Sequence, residues 1–336
     1  MHMKSKNKVF FCGNFFDGSG PGVVNRGYYT YLKNNFVFYK YRNKYIRILE
    51  AIWYTLANKI IIFSGVAEVD KILIPLCRLF KKKMIYIMHG WLKLENELNE
   101  VTNSNGEESE SKLLEYSNLV LCVSNQYSLM VKEKLPQYAT KISYLTNGID
   151  WELMSPSDSY EQRSPNSIIL IGGGRRTKRN LEVCKAVELL NNKKQYSLHI
   201  ELYGYSDGRD IPEIIKFPFV NYHGIVPHQK LIESMSKNNL FILNSEIESF
   251  SLGVVEALIN GCNLLISKNV GARDYLIAET DNDIINNPED IDEIAQKIEY
   301  VLKNPNNSRL LNSIDREASS ISHQADKLYR IVSTFL

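Results

Sequence analysis

The chain reads as an α/β protein of two domains, and three observations predict it. Short apolar runs alternate with helical patterns along its 336 residues, the rhythm of strands buried on both faces and joined by crossover helices. A strand, a glycine-rich turn and a helix occur at Val9 to Leu32 and again at Ile168 to Leu190. Between them Ser155-Pro156-Ser157-Asp158-Ser159 and Arg163-Ser164-Pro165-Asn166 break both periodicities and read as a linker. A chain of this length, 44% hydrophobic and 23% charged, is globular and has room for two cores.

Composition narrows the function classes. The five cysteines, Cys12, Cys77, Cys122, Cys184 and Cys262, lie far apart and mostly inside strand or helix patterns, which reads as reduced, buried thiols in a cytoplasmic protein. The six histidines are scattered without zinc spacing. Apolar runs such as Ile60 to Phe63 are too short to span a bilayer, and the polar start gives no sign of a signal peptide. Charge is uneven: residues 1–150 carry 20 Lys and Arg against 13 Asp and Glu, and residues 151–336 carry 20 against 25. In the first half Lys40, Arg42, Lys44 and Arg47 alternate with Tyr39, Tyr41 and Tyr45. Such a surface suits an anionic membrane or an anionic acceptor, with a merely solvated basic face as the alternative.

In chain order, Val9 to Cys12 is a strand and Gly13 to Gly22, with Gly20 and Gly22, a turn where backbone can approach phosphate. It lacks the lysine of a P-loop and the third glycine and acidic partner of a dinucleotide fingerprint. A plain loop is the remaining alternative. Phe36 to Lys40 reads as a second strand, Lys59 to Phe63 as the next, with a helix near Val69 to Phe80 and a strand at Met84 to Met88. His89-Gly90-Trp91 follows, placing His89 at a strand's carboxyl end, where open α/β sheets bind ligands. A purely structural histidine is the competing reading. The polar stretch from Glu95 to Glu110 reads as a mobile loop. Leu119 to Val123, a helix near Gln126 to Lys134 and a strand at Ile142 to Leu145 close this half.

The second half opens with Ile168 to Ile171, then Gly172-Gly173-Gly174-Arg175-Arg176-Thr177-Lys178-Arg179-Asn180 and a helix from Leu181. Cations at a helix start suit a diphosphate leaving group, because charge accumulates on it as its bond breaks; a solvated basic turn is the alternative. Strands follow at His199 to Tyr203 and Val220 to Val226, and a helix at Gln229 to Ser236. The strand Asn239 to Asn244 then leads into Ser245-Glu246-Ile247-Glu248-Ser249-Phe250-Ser251-Leu252-Gly253-Val254-Val255-Glu256-Ala257-Leu258, with a helix beginning after Ser251. With Glu248 in the loop and Glu256 in the helix, the carboxylates can reach two parts of one ligand. Two ordinary solvated glutamates are the bland counterpart. Later elements are strands at Leu264 to Ser267 and Asp283 to Ile285, and helices at Ile291 to Leu302 and Ser322 to Phe335.

The run from Asn221 to Tyr275, with Gly224, the Glu248-x7-Glu256 turn and helix, Gly261 and Val270-Gly271-Ala272-Arg273, resembles the C-terminal half of the retaining family 4 glycosyltransferases. His89-Gly90 and Asn147-Gly148-Ile149-Asp150 extend the likeness into the first half. The resemblance implies the GT-B fold: two Rossmann-like, doubly wound domains facing across a cleft. It divides the chain into an acceptor-binding domain (1–154), a linker (155–166), a nucleotide-sugar-binding domain (167–320) and a final helix (321–336) that crosses back. It further implies His89, Glu248, Arg176 and Lys178 in catalysis. Donor contacts would come from Gly20, Gly22, Gly173, Arg175, Ile225, Val226, Ser249, Phe250, Ser251, Leu252 and Glu256. Arg175 and Arg176 compete for the diphosphate. No metal, since Arg175, Arg176, Lys178 and helix starts would supply the positive charge, and no cofactor besides the donor are expected. The function implied is transfer of a sugar from a nucleotide-sugar to a glycan or lipid-linked acceptor, without nucleic acid; the high Asn, Lys, Ile and Tyr content adds an expectation of bacterial surface-polysaccharide synthesis, and the basic first half that of a cytoplasmic protein peripheral on anionic membrane. An inactive nucleotide-sugar-binding subunit and a sugar-nucleotide epimerase are the alternatives.

Overall fold

A computed structural model describes residues 9–16, 18–101, 104–154, 163–193, 196–205 and 208–336. The chain forms two compact units. The first comprises Met1–Glu97, Val101–Asp150 and Arg316–Leu336, and the second Leu98–Glu100 and Trp151–Asp315.

The first unit is built on a parallel sheet of β1 (Val9–Gly13), β2 (Ile60–Ser64), β3 (Lys83–Met88), β4 (Leu119–Cys122) and β5 (Ile142–Tyr144), in that order. Its helices in this part of the chain are α1 (Gly20–Leu32), α2 (Lys44–Ala57), α3 (Asp70–Leu79), α4 (Leu92–Asn99), α5 (Ser104–Tyr116) and α6 (Asn125–Lys134). Strand side chains such as Phe10, Phe11, Ile60, Phe63 and Ile85 are fully enclosed, as expected where helices cover both faces.

Two expectations are corrected here. Phe36 to Lys40 is not a strand: a single bridge joins Val37 to Phe10. Glu50 instead accepts the backbone N–H groups of Lys40 (3.2 Å) and Tyr41 (3.3 Å), which turns the chain off the sheet edge. The stretch after Glu95 is not a loop but the helices α4 and α5, with residues 102 and 103 outside the described part. The buried Glu110 accepts the N–H groups of Leu92 (2.8 Å) and Lys93 (3.0 Å) at the start of α4, satisfying donors that a helix start leaves unpaired. Helix α2 was not anticipated. Its cap, Asn43, accepts from Tyr45 N–H at 3.0 Å.

The second unit alternates β6 (Ser164–Ile171), α7 (Asn180–Asn192), β7 (His199–Tyr203), α8 (Ile211–Ile214), β8 (Val220–Gly224), α9 (His228–Lys237), β9 (Asn238–Leu243), α10 (Leu252–Ile259), β10 (Asn263–Ser267), β11 (Ile284–Ile285), α11 (Ile291–Lys303) and α12 (Asn307–Asn312). The strand order is β11-β10-β9-β6-β7-β8, all parallel. Winding outward from β6 and then restarting at its other side with β9 makes β6/β9 the switch point, where such sheets bind ligands. Residues 155–162 of the expected linker lie outside the described part, and the rest is not linker. Arg163 is anchored on the carbonyls of Met235 (3.1 Å) and Asn260 (2.6 Å). Ser164 already pairs with Asn238, and a register shift before Ile168 accommodates Pro165.

The chain then returns to the first unit as α13 (Ile321–Ser333). Ile149 donates to Ser319 O (2.8 Å) and Ile321 to Ile149 O (2.9 Å), and the Ile321 side chain occupies the space a Cβ would fill at Gly27 of α1.

Candidate functional site

In the second unit the turn after β6 and the loop after β9 lie side by side because their strands do. Gly172 and Gly173 take φ values of +94° and +60°, a region glycine enters without strain. A Cβ on Gly172 would lie 2.6 Å from Lys178 Cγ, so the glycine clears the path along which the lysine stem crosses the turn. Gly173 packs on the backbone of Gly204 and Tyr205 and donates to Tyr203 O at 2.9 Å. The buried Asn180 fixes the turn by donating to Ile171 O (3.0 Å) and Gly173 O (2.7 Å).

The cations of this turn separate. Lys178 forms an ion pair with Glu248, both side chains only 16% exposed. Arg175 is exposed and lies over the Tyr205 ring at 4.9 Å. Arg176 is exposed and pairs with Glu100, which groups with this unit, while its Nε lies 3.8 Å from Asp210. Arg179 turns away, in a left-handed conformation (φ +49°), to meet Glu246 (3.3 Å), Glu289 (2.6 Å) and Glu182 (3.7 Å). It braces the loops instead of facing the site.

The loop after β9 is held on two sides. Glu246 donates to Thr177 O (2.8 Å), Gly271 to Glu248 O (3.0 Å) and Ala272 to Phe250 O (2.8 Å). Phe250 is therefore a core residue, 5.6 Å from Tyr275 in an edge-on contact, and only its backbone is available to a ligand. Ser249 and Leu252 are half-buried. Ser251, at the cap of α10, has φ +75° without being glycine, strain of the sort that gathers at functional sites. Glu256 in α10 is bonded at 2.9 Å by His228 Nε2, and that bond raises the imidazole above its usual range. His228 was missed in the sequence, where nothing marks a histidine after Pro227 as a partner of Glu256. Ile225 is exposed and Val226 half-buried beside it.

In the first unit, Gly20 is exposed with open space where a Cβ would stand, while Gly22 N–H is taken by Ser19 Oγ at 3.1 Å. His89 at the end of β3 lines a cavity of about 480 Å³ with Gly65, Glu95 and Glu110. Its Nε2 lies 2.8 Å from Ser64 Oγ, which donates to Asn25 Oδ1 at 2.7 Å. Asn25 Nδ2 in turn donates to Asn14 O at 2.8 Å. A carbonyl only accepts, so Asn14 fixes the amide, the amide fixes the hydroxyl, and the hydroxyl's lone pair requires a proton on Nε2. Burial lowers the His89 pKa to about 4, so the ring is neutral near pH 7 with Nδ1 as its acceptor. Asn25 and Ser64 were missed; a polar residue at the end of an apolar strand was the available signal. A second cavity of about 600 Å³ adjoins, lined by Cys12, Tyr39, Lys44, Arg47 and Ile48.

The fold matches solved structures over nearly the whole chain. A sucrose-phosphate synthase from Thermosynechococcus elongatus superposes with a TM-score of 0.74 at 17% identity, covering 98% of this chain and 100% of that one. HepE of Anabaena, solved with UDP and glucose, gives 0.70 at 13% identity over 98% and 100%. The lipopolysaccharide outer core galactosyltransferase WaaB gives 0.65 at 14% identity over 98% and 99%. These likenesses establish the GT-B type of fold as two parallel-sheet α/β domains. No curated protein matches the chain in sequence. Residues 157–318, which take in most of the second unit and its switch-point site, match the family model of Glycosyl transferases group 1.

Proposed function

We propose that this protein is a retaining, metal-independent glycosyltransferase that moves a sugar from a nucleotide-sugar donor to a glycan or lipid-linked acceptor. Its setting would be bacterial surface-polysaccharide synthesis at the cytoplasmic side of the membrane. The observation that carries the reading is the convergence, at the β6/β9 switch point, of Lys178, Glu248 and the start of α10. A diphosphate would draw on Lys178, on Arg175 or Arg176, and on the N–H groups at the start of α10. Glu248 would face the sugar, and Glu256 the ribose. HepE was solved with UDP-glucose, which supports the donor class. In a front-side displacement the acceptor oxygen would bond the anomeric carbon on the side from which the diphosphate departs, with the hydroxyl proton passing to the departing phosphate. The protein then contributes position and charge. The cavities of the first unit, with neutral His89 in one wall, would take the acceptor.

A thermal-shift series with UDP-, GDP- and ADP-sugars tests this, since a ligand at 100 times its Kd adds about 2.7 kcal/mol of stability. One class should shift the midpoint, and transfer from that donor should persist in EDTA. No shift with any of them, or activity lost in EDTA and restored by Mg²⁺ or Mn²⁺, would count against the proposal.

A further inference from the structure

The two cavities of the first unit share Pro21, Gly65, Val66, Ala67 and Glu68 as a common wall, yet they differ in charge. Glu95 and Glu110 add two carboxyls to the smaller one, against the single cation Lys71. In the larger one Lys44 lies 2.7 Å from Glu68, so those two charges offset each other. Cys12 and Tyr39 are bonded at 3.1 Å, and burial raises both above their ordinary ranges, which keeps them uncharged. Asp70, outside the wall, is buried and accepts Ala67 N–H at 2.6 Å. Arg47 remains as the charge of the larger cavity; among the described residues its side chain donates to Asn14 and pairs with no carboxylate.

This guanidinium is fixed before any ligand arrives. Glu50 faces inward to take the N–H groups of Lys40 and Tyr41, and Arg47, three residues earlier in α2, shares that side of the helix. Its Nη1 donates to Asn14 Oδ1 at 3.0 Å, and its Cζ lies 5.6 Å from the Phe16 ring centre and 5.8 Å from that of Tyr39. One bond uses one of five N–H donors, and the rest of the fork fits the paired oxygens of a phosphate or carboxylate. Asn14 also ties Arg47 to His89. Its side chain accepts from Arg47, and its carbonyl accepts from Asn25 at the head of the chain through Ser64 that sets the imidazole. The cation of one cavity and the histidine of the other are thus held in one frame. Carboxyls accept from sugar hydroxyls and repel anions, so a ligand spanning both cavities has one orientation. We infer that the acceptor is a sugar bearing an anionic group, phosphate or carboxylate, with that group on Arg47 in the larger cavity and its hydroxyls in the smaller one beside Glu95, Glu110 and His89. The inference rests on the function proposed above and deepens it by naming the acceptor class.

Titration calorimetry on the full chain at fixed ionic strength, without nucleotide, tests this with glucose and galactose, their 6-phosphates, their uronic acids and inorganic phosphate. At least one anionic sugar should bind about 10-fold more tightly than its neutral parent, and more tightly than inorganic phosphate. A preference for the 6-phosphates would assign the group as phosphate, and one for the uronic acids as carboxylate. Arg47→Met should abolish the advantage of the anionic sugar, and Arg47→Lys, which keeps the charge without the fork, should restore part of it. Lys44→Gln changes an exposed side chain and leaves Glu68 without its partner, so it too should weaken the anionic sugar while the unfolding midpoint stays near the parent's. Neutral and anionic sugars binding alike, or an advantage that both Arg47→Met and Lys44→Gln leave intact, would overturn the inference. So would inorganic phosphate binding as well as the sugar phosphate, or Arg47→Met weakening a nucleoside diphosphate as much as an anionic sugar, which would give the cavity to the donor. Nucleotide-sugar shifts are measured separately, so a failure here and a failure of the donor reading remain distinguishable.

Discussion

Lys178 of the glycine turn and Glu248 of the loop after β9 close into an ion pair with both side chains only 16% exposed. The pair joins the residue proposed to hold the diphosphate to the one proposed to face the sugar. An arriving anion would share Lys178, leaving Glu248 turned toward the sugar. Lys178→Met removes a charge-assisted bond worth about 1.5–3 kcal/mol. Nucleoside diphosphate affinity, measured calorimetrically, should therefore fall by about 10- to 100-fold. An unchanged affinity would remove Lys178 from the diphosphate site.

Stability of the first unit should decline as pH rises through the mildly acidic range. Burial raises the carboxyls of Asp70 and Glu110 to about 7, against bonds from backbone N–H groups that pull them down. A raised folded pKa means that the folded protein keeps protons the unfolded chain has released. Each group's contribution is complete below about pH 4 and is lost up to about pH 7. Shifts of that size correspond to roughly 3–4 kcal/mol per group. Denaturant unfolding across this window should show a steeper loss in the parent than in Asp70→Asn or Glu110→Gln. Identical slopes in parent and variants would contradict it.

Strand and helix alternation was legible wherever apolar runs were bounded by turn residues, as at His199–Tyr203, where the expected and observed bounds coincide. The start of α10 at Leu252 was legible because helix formers follow a polar loop. Failures came where one long-range contact decides. Phe36 to Lys40 has strand composition, yet a carboxylate at Glu50 takes the N–H groups a ladder would need. The stretch around α4 has loop composition, but Glu110 caps the helix from a distance in sequence. The site residues were legible as chemistry and not as pairs. Lys178 with Glu248, and His228 with Glu256, are separated by 70 and 28 residues, and only the adjacency of β6 and β9 and the packing of α9 beside α10 bring them together.

The central claim is that the two glutamates divide the donor between them, and one comparison tests it. A contact to ribose is alike in ground and transition states, whereas a contact to the reacting sugar tightens as the bond breaks. Glu256→Gln should therefore raise the donor KM, and Glu248→Gln should lower kcat by about 10²-fold or more. The most direct measurement is the affinity of the nucleoside diphosphate without its sugar, taken by titration calorimetry on both variants. The account predicts weaker binding in Glu256→Gln and nearly parental binding in Glu248→Gln. Equal affinities in the two variants, or a loss confined to Glu248→Gln, would contradict it.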